Sequence, residues 1–220
     1  MHLPFRLLSV RRAAALLGAA LALGLGALPA HALTDGESYD YFHDIEIDYA
    51  GGMAKLLGNG ADPNLRNDKG QPALTIALQA PSLKVAKVLW EAKGIDLEAA
   101  NNAGETPLMM AALKSEVDAT AALVAHGASV NKAGWSPLHY AATGGNAEIV
   151  KLLVAHGAKL EARSPNGSTP LMMAARYGSE DAVDALLAAG ADRSARNDLG
   201  MNAAAFATSG GRDKLAKRLE

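Results

Sequence analysis

The sequence predicts an all-α repeat solenoid of about six units. Three observations predict it. The first is a motif. Gly104-Glu105-Thr106-Pro107-Leu108-Met109-Met110-Ala111-Ala112 recurs as Gly134-Trp135-Ser136-Pro137-Leu138-His139-Tyr140-Ala141-Ala142, and again as Gly167-Ser168-Thr169-Pro170-Leu171-Met172-Met173-Ala174-Ala175. The second is a pair of glycine combs. One is Gly60, Gly94, Gly127, Gly157 and Gly190; the other is Gly70, Gly104, Gly134, Gly167 and Gly200, spaced by 34, 30, 33 and 33 residues. The third is composition: half of the 220 residues are hydrophobic but only 5% are aromatic, so the apolar mass is mostly Ala, Leu and Val. That suits short, closely packed helices.

Each unit has local reasons for its shape. The glycine that opens it reverses the chain where φ > 0 is needed. Thr106-Pro107, Ser136-Pro137 and Thr169-Pro170 then start a helix, with the hydroxyl as cap and proline in the first turn. The following Leu-x-x-Ala-Ala presents a narrow apolar face to neighbouring helices. After a turn such as Gly144-Gly145, a second helix carries Ile149, Val150, Leu152 and Leu153 at helical spacing. It ends at a glycine such as Gly157. An extended segment and a projecting hairpin lead into the next unit.

The units run in order as 39–66, 67–100, 101–131, 132–163, 164–196 and 197–220. In the first, Tyr39–Ile45 reads as the first helix and Met53–Leu57 as a short second one. In the second unit Pro72-Ala73-Leu74 replaces Thr-Pro-Leu, which leaves that helix start open. In the last, Asn202-Ala203-Ala204-Ala205 stands in the motif's place, and Arg212, Lys214, Lys217 and Arg218 make the final helix basic. End units are atypical because they expose a face that inner units bury. Leu108, Met109, Met110, Leu171, Met172 and Met173 are expected in the continuous core, as packing methionines.

The N-terminus reads as an address. Arg6, Arg11 and Arg12 precede an apolar run, Ala13 to Leu28. Pro29 ends that run, and Ala30-His31-Ala32 offers the small residues that a signal peptidase reads, with cleavage after Ala32. Residues 1–32 are therefore expected to be a cleavable Sec-type signal peptide and 33–38 a short leader, which places the protein in a periplasm or outside the cell. Cysteine is absent, so no disulfide framework, thiolate metal site or cysteine nucleophile exists. Removing residues 1–32 takes away three arginines and no acid, which moves the net charge from −2 to −5. That balance gives no electrostatic footprint for nucleic acid and none for stable membrane attachment after cleavage.

A period of ~33 carrying Thr-Pro-Leu-His-x-Ala resembles the ankyrin-repeat family. Gly60-Ala61-Asp62-Pro63-Asn64 adds to it, since it is similar to the family's Gly-Ala-Asp-Val-Asn. The resemblance covers residues 39–220, and the chain is similar to small exported ankyrin-repeat proteins of the proteobacterial periplasm. It implies helix-turn-helix units with β-hairpin fingers, two degenerate caps, no enzymatic activity, no cofactor, and a monomer that holds a protein partner on its concave face. Carried over by position, the contact residues are Lys69 and Gln71; Asn102, Glu105 and Lys114; Trp135; Ser168, Arg176 and Tyr177; and Met201. His139 fills the family's histidine position, where it resembles a structural hydrogen-bonding residue. No base-nucleophile pair, phosphate loop, metal motif or carboxylate pair stands at a recognisable spacing.

One spacing breaks the rule. The first comb leads the second by 10 residues everywhere except Gly127–Gly134, where the interval is 7. One finger is thus three residues short, and Trp135 follows it. Trp135 is either an interface hot spot or a lid folded over the gap onto Tyr140 or the next hairpin. Three function classes follow: a periplasmic partner-binding protein with an accessory, protective or inhibitory role; a secreted effector that engages a host protein; and a small-ligand or enzymatic role at the notch near Trp135.

Overall fold

The computed structural model describes residues 34–220. The expected signal peptide, with Ala30 and Ala32, lies outside the described residues. Twelve helices form six pairs: α1 (Asp35–Glu46) and α2 (Ala50–Gly58), α3 (Ala73–Gln79) and α4 (Leu83–Trp90), α5 (Pro107–Leu113) and α6 (Val117–Ala125), α7 (Pro137–Gly144) and α8 (Ala147–Ala155), α9 (Pro170–Tyr177) and α10 (Glu180–Ala188), α11 (Ala203–Ser209) and α12 (Asp213–Leu219). First helices stack on first helices, and second helices form the other layer. Leu108, Met109, Met110, Leu171 and Met172 are buried between the layers, and Met173 is partly buried.

The motif starts its helices as its chemistry requires. Thr106 and Thr169 sit at N-caps with proline in the first turn. Met109 Sδ accepts from the Thr106 N–H at 3.4 Å, and Met172 Sδ does the same for Thr169. In the unit between them the same post is held by His139. Its Nδ1 accepts from the Ser136 N–H at 3.2 Å. The open question at Pro72 resolves plainly: α3 starts at Ala73 without a side-chain cap. Asn202 caps α11 by accepting from the Ala205 N–H at 3.0 Å.

Two expectations need correction. α1 begins at Asp35, four residues before Tyr39, so it takes in most of the segment read as a leader. Thr34 and Glu37 form its capping box: the Glu37 N–H donates to Thr34 Oγ1 at 3.2 Å, and the Thr34 N–H to Glu37 Oε2 at 3.0 Å. The fingers are also not β-ladders. Among the described residues the only bridge is isolated, between Arg66 and Pro72. Short backbone bonds and side chains together tie the turns: the Asn67 N–H donates to the Gln71 carbonyl at 3.0 Å and the Gly70 N–H to the Asn67 carbonyl at 2.8 Å. Asn67 Oδ1 accepts from the Lys69 and Gln71 N–H groups, both at 3.0 Å. Asn101 and Asn197 repeat this in their own fingers.

The stack is not uniform. Gly144 lies so close to α5 that a Cβ there would sit 2.6 Å from the Leu113 carbonyl. Gly178 abuts the Ala142 carbonyl, and a Cβ at Gly210 would sit 2.8 Å from the Arg176 carbonyl. These approaches belong to helices that carry Ala111-Ala112, Ala141-Ala142 and Ala174-Ala175. The same positions hold Ala77-Leu78 in α3 and Asp44-Ile45 in α1. Larger side chains stand there, and a groove opens between α1 and α3.

Candidate functional site: the concave face

First helices and fingers together line one face. Its helical positions are His43, Ile76, Met110, Tyr140, Met173 and Phe206, one per unit; its finger positions are Gln71, Glu105, Trp135, Ser168 and Met201. The structure sorts these residues by how much of each remains free for a partner.

Several are committed to the fold. Both oxygens of Glu105 are taken: Tyr140 Oη–H donates to Oε1 at 2.9 Å and Asn101 Nδ2–H to Oε2 at 2.7 Å. Burial, then this carboxylate, pushes the Tyr140 hydroxyl above its ordinary pKa. Gln71 Oε1 accepts from Asn67 Nδ2 at 2.9 Å. Asn102 is exposed, but its Nδ2–H donates to the Lys69 carbonyl at 2.8 Å, so it joins two fingers. Met201 is half-buried against the core. Ser168 is a correction. It is fully buried, its Oγ has no hydrogen-bond partner, and its carbonyl accepts from His139 Nε2 at 2.9 Å. A short side chain at this finger position sinks beneath its neighbours and cannot touch a partner.

Trp135 is half-buried. Its ring meets that of His139 edge-on, with centroids 5.3 Å apart and planes at 80°. The indole thus packs on His139, a neighbour that the lid reading did not name. The short finger does leave an open cleft of about 390 Å³, lined by Lys132, Lys159, Glu161 and Arg163 among others. Trp135 does not line it. Asn131 spans this region, donating to the Gly157 carbonyl at 2.8 Å and accepting from the Lys159 N–H at 2.9 Å.

His139 is fully buried and ties two units together. The Ser168 carbonyl can only accept, so Nε2 carries the proton and Nδ1 accepts from Ser136. Burial lowers its pKa below the ordinary value of about 6.5, and the bond to Ser168 only partly opposes that. This is structural use of a histidine. His126 and His156 stand at the C-caps of α6 and α8, one residue before Gly127 and Gly157, where a cation suits the helix end.

The free surface is elsewhere. Lys69 and Lys114 are exposed. Tyr177 is 55% exposed, and the Arg176 guanidinium lies 5.0 Å from its ring centroid. Lys114, Gly144 and Gly210 occupy the equivalent place in other units, so packing does not require an aromatic there. Arg212 fixes the platform beneath it: Nη1 lies within 3.0 Å of the carbonyls of Ala174, Ala175 and Gly178 at the end of α9. Sequence reasoning missed Arg212, whose signal was a cation in place of a Ser or Asn N-cap. It also missed the groove beside α1. Among the described residues no three His, Asp or Glu side chains gather as a metal cluster, and no helix is long and apolar enough to cross a membrane.

The comparisons agree with this architecture. A family model described as ankyrin repeats (3 copies) matches residues 48–133, 123–197 and 159–219. A comparison with curated proteins finds no match. The matches overlap and together span most of the sequence, with the glycine combs and the Thr-Pro-Leu helix starts in phase, and the chain belongs to the ankyrin-repeat family.

Proposed function

We propose that the protein is an exported scaffold that holds a partner protein on its concave face, in a bacterial periplasm, with an accessory, protective or inhibitory role. Ankyrin repeats generally mediate protein–protein interaction, and stacked repeats offer an extended concave surface for it. The observation that carries the reading for this chain is Tyr177. A large aromatic is exposed where units two, three, four and six place Ala80, Lys114, Gly144 and Gly210, it bears an arginine on its ring, and its helix end is clamped by Arg212. Aromatic and arginine anchors dominate interface energetics. Half-exposed Trp135 and Met173 extend the same surface toward the centre of the array. The periplasmic placement rests on Arg6, Arg11 and Arg12, the apolar run and Ala30-His31-Ala32.

Two measurements test this. Photocrosslinkers at Tyr177 and Trp135, with one at convex Lys151 as control, are introduced in cells. A specific adduct at the first two and none at Lys151 is expected; adducts only at Lys151 overturn the concave reading. Fractionation with N-terminal sequencing should find the protein in the periplasm, starting at Leu33. An uncleaved cytoplasmic chain removes the export reading.

A further inference from the structure

The mature chain's net charge is not spread along the array. Residues 34–66 hold Asp35, Glu37, Asp40, Asp44, Glu46, Asp48 and Asp62 against Lys55 and Arg66, a balance of −5, which equals that of the whole sequence after residue 32. This acidic unit is also the stickiest. Among the described residues five large hydrophobic side chains are exposed, and three belong to it: Tyr39 at 69%, Ile47 at 57% and Tyr49 at 56%. End units ordinarily turn polar surface outward, so exposed aromatics among acids on a cap ask for a reason.

The groove between α1 and α3 supplies one. It has a volume of about 460 Å³ and opens on the concave side. Tyr39, Phe42 and Ile76 form its apolar wall, and Glu46 and Asp68 stand at its edge. The Tyr39 ring is stacked on His43, with centroids 5.6 Å apart and planes at 14°, which fixes a broad π-face. Glu46 Oε2 lies 3.7 Å from His43 Nδ1 and its side chain is 77% exposed. The lining cation, Arg66, is engaged by the fold: its Nη1 donates to the Gly70 carbonyl at 2.7 Å and to that of Ala100 at 3.0 Å.

We propose that this groove receives a lysine or arginine side chain from a basic segment of the partner protein, laid against Tyr39 and Phe42 and paired with Glu46 and Asp68. Aromatic faces and carboxylates both attract cations, and the two act together at close range. An acidic pole also speeds encounter with a basic partner, and more so at low salt. The inference rests on the concave face being the partner surface and names the chemistry at its N-terminal end.

The test uses the purified protein at pH 7.5 and two fluorescent nine-residue probes, one of alternating Arg and Ala and one of alternating Glu and Ala. Anisotropy should show the Arg probe binding and the Glu probe not, with affinity falling at high salt. Tyr39→Ala leaves charge unchanged and should weaken the Arg probe about fivefold. Glu46→Gln with Asp68→Asn should weaken it more. Asp40→Asn, on the same unit but outside the lining, should change it less than twofold. The proposal is overturned if the Glu probe binds as well. It is equally overturned if Tyr39→Ala has no effect, or if Asp40→Asn weakens binding as much as the groove pair, which would mean diffuse attraction. The failures separate. If a protein captured through Tyr177 binds the groove variants unchanged, the groove proposal falls and the concave reading stands. If the Arg probe obeys every expectation while Tyr177 and Trp135 capture nothing, the groove's preference for a cation stands and the reading of the rest of the concave face as the partner surface falls.

Discussion

Units three to five and units one and two solve the same packing problem in different ways. In α5, α7 and α9 a pair of alanines faces the next helix, and glycines at the helix ends let backbones nearly touch. The interior is then a dense stack, and the only surface left to vary is the finger row and the helix ends. In α1 and α3 the same two positions hold Asp44-Ile45 and Ala77-Leu78. The helices stand apart, and the gap becomes a groove. One repeat rule thus yields a rigid platform, which presents Tyr177, and an open acidic end, which presents Tyr39. Side-chain size at two positions differs between them.

The largest effect should come from breaking the tight half. A methyl group at Gly178 runs into the Ala142 carbonyl. Gly178→Ala should cost about 3 kcal/mol, the upper end of what overpacking does, read as a lower denaturation midpoint at unchanged slope. In the open half the same exchange should have the opposite sign. Gly36 lies in the first turn of α1 with nothing within 4 Å of an added Cβ. Gly36→Ala should stabilise by about 0.5–1 kcal/mol by helix propensity alone. A loss there would show that α1 is constrained by more than its own helix.

Between these lies a difference inside the tight half. Unit four uses His139 where units three and five use Met109 and Met172. The folded-state pKa of His139 is lowered, so below about pH 6.5 the unfolded chain binds the extra proton first. Its contribution is complete above that pH and is lost as pH falls toward the folded-state value. Denaturant titrations between pH 5 and 8 should show stability falling on the acid side. His139→Met should flatten that profile, at a cost of about 1–2 kcal/mol near neutrality for the lost bond to Ser168. An unchanged slope would place the acid sensitivity elsewhere.

Much of the fold was legible because repeats state each rule several times. Both glycine combs take positive φ where φ > 0 was needed, and Thr106 and Thr169 cap their helices. The start of α1 was legible as well, since Thr34-Asp35-Gly36-Glu37 is a capping-box pattern, but the aromatic run at Tyr39 carries the stronger periodic signal. The fingers misled because their spacing suggests a ladder, whereas Asn67, Asn101 and Asn197 close short turns through both backbone and side chain. The candidate site was less legible. Equivalent positions read as equally exposed, yet Ser168 sinks while Trp135 stays half out, because side-chain length decides what reaches the surface. The groove needed a comparison of the alanine pair across units, which reports bulk in the wall and not residues in a motif.

The most direct measurement is hydrogen–deuterium exchange of the protein with and without the partner captured through Tyr177. Protection confined to the fingers and to the first helices, strongest at the end of α9 and along α1, is expected. Protection confined to α8 and α10, with α9 and α1 unchanged, would contradict the concave face as the binding surface.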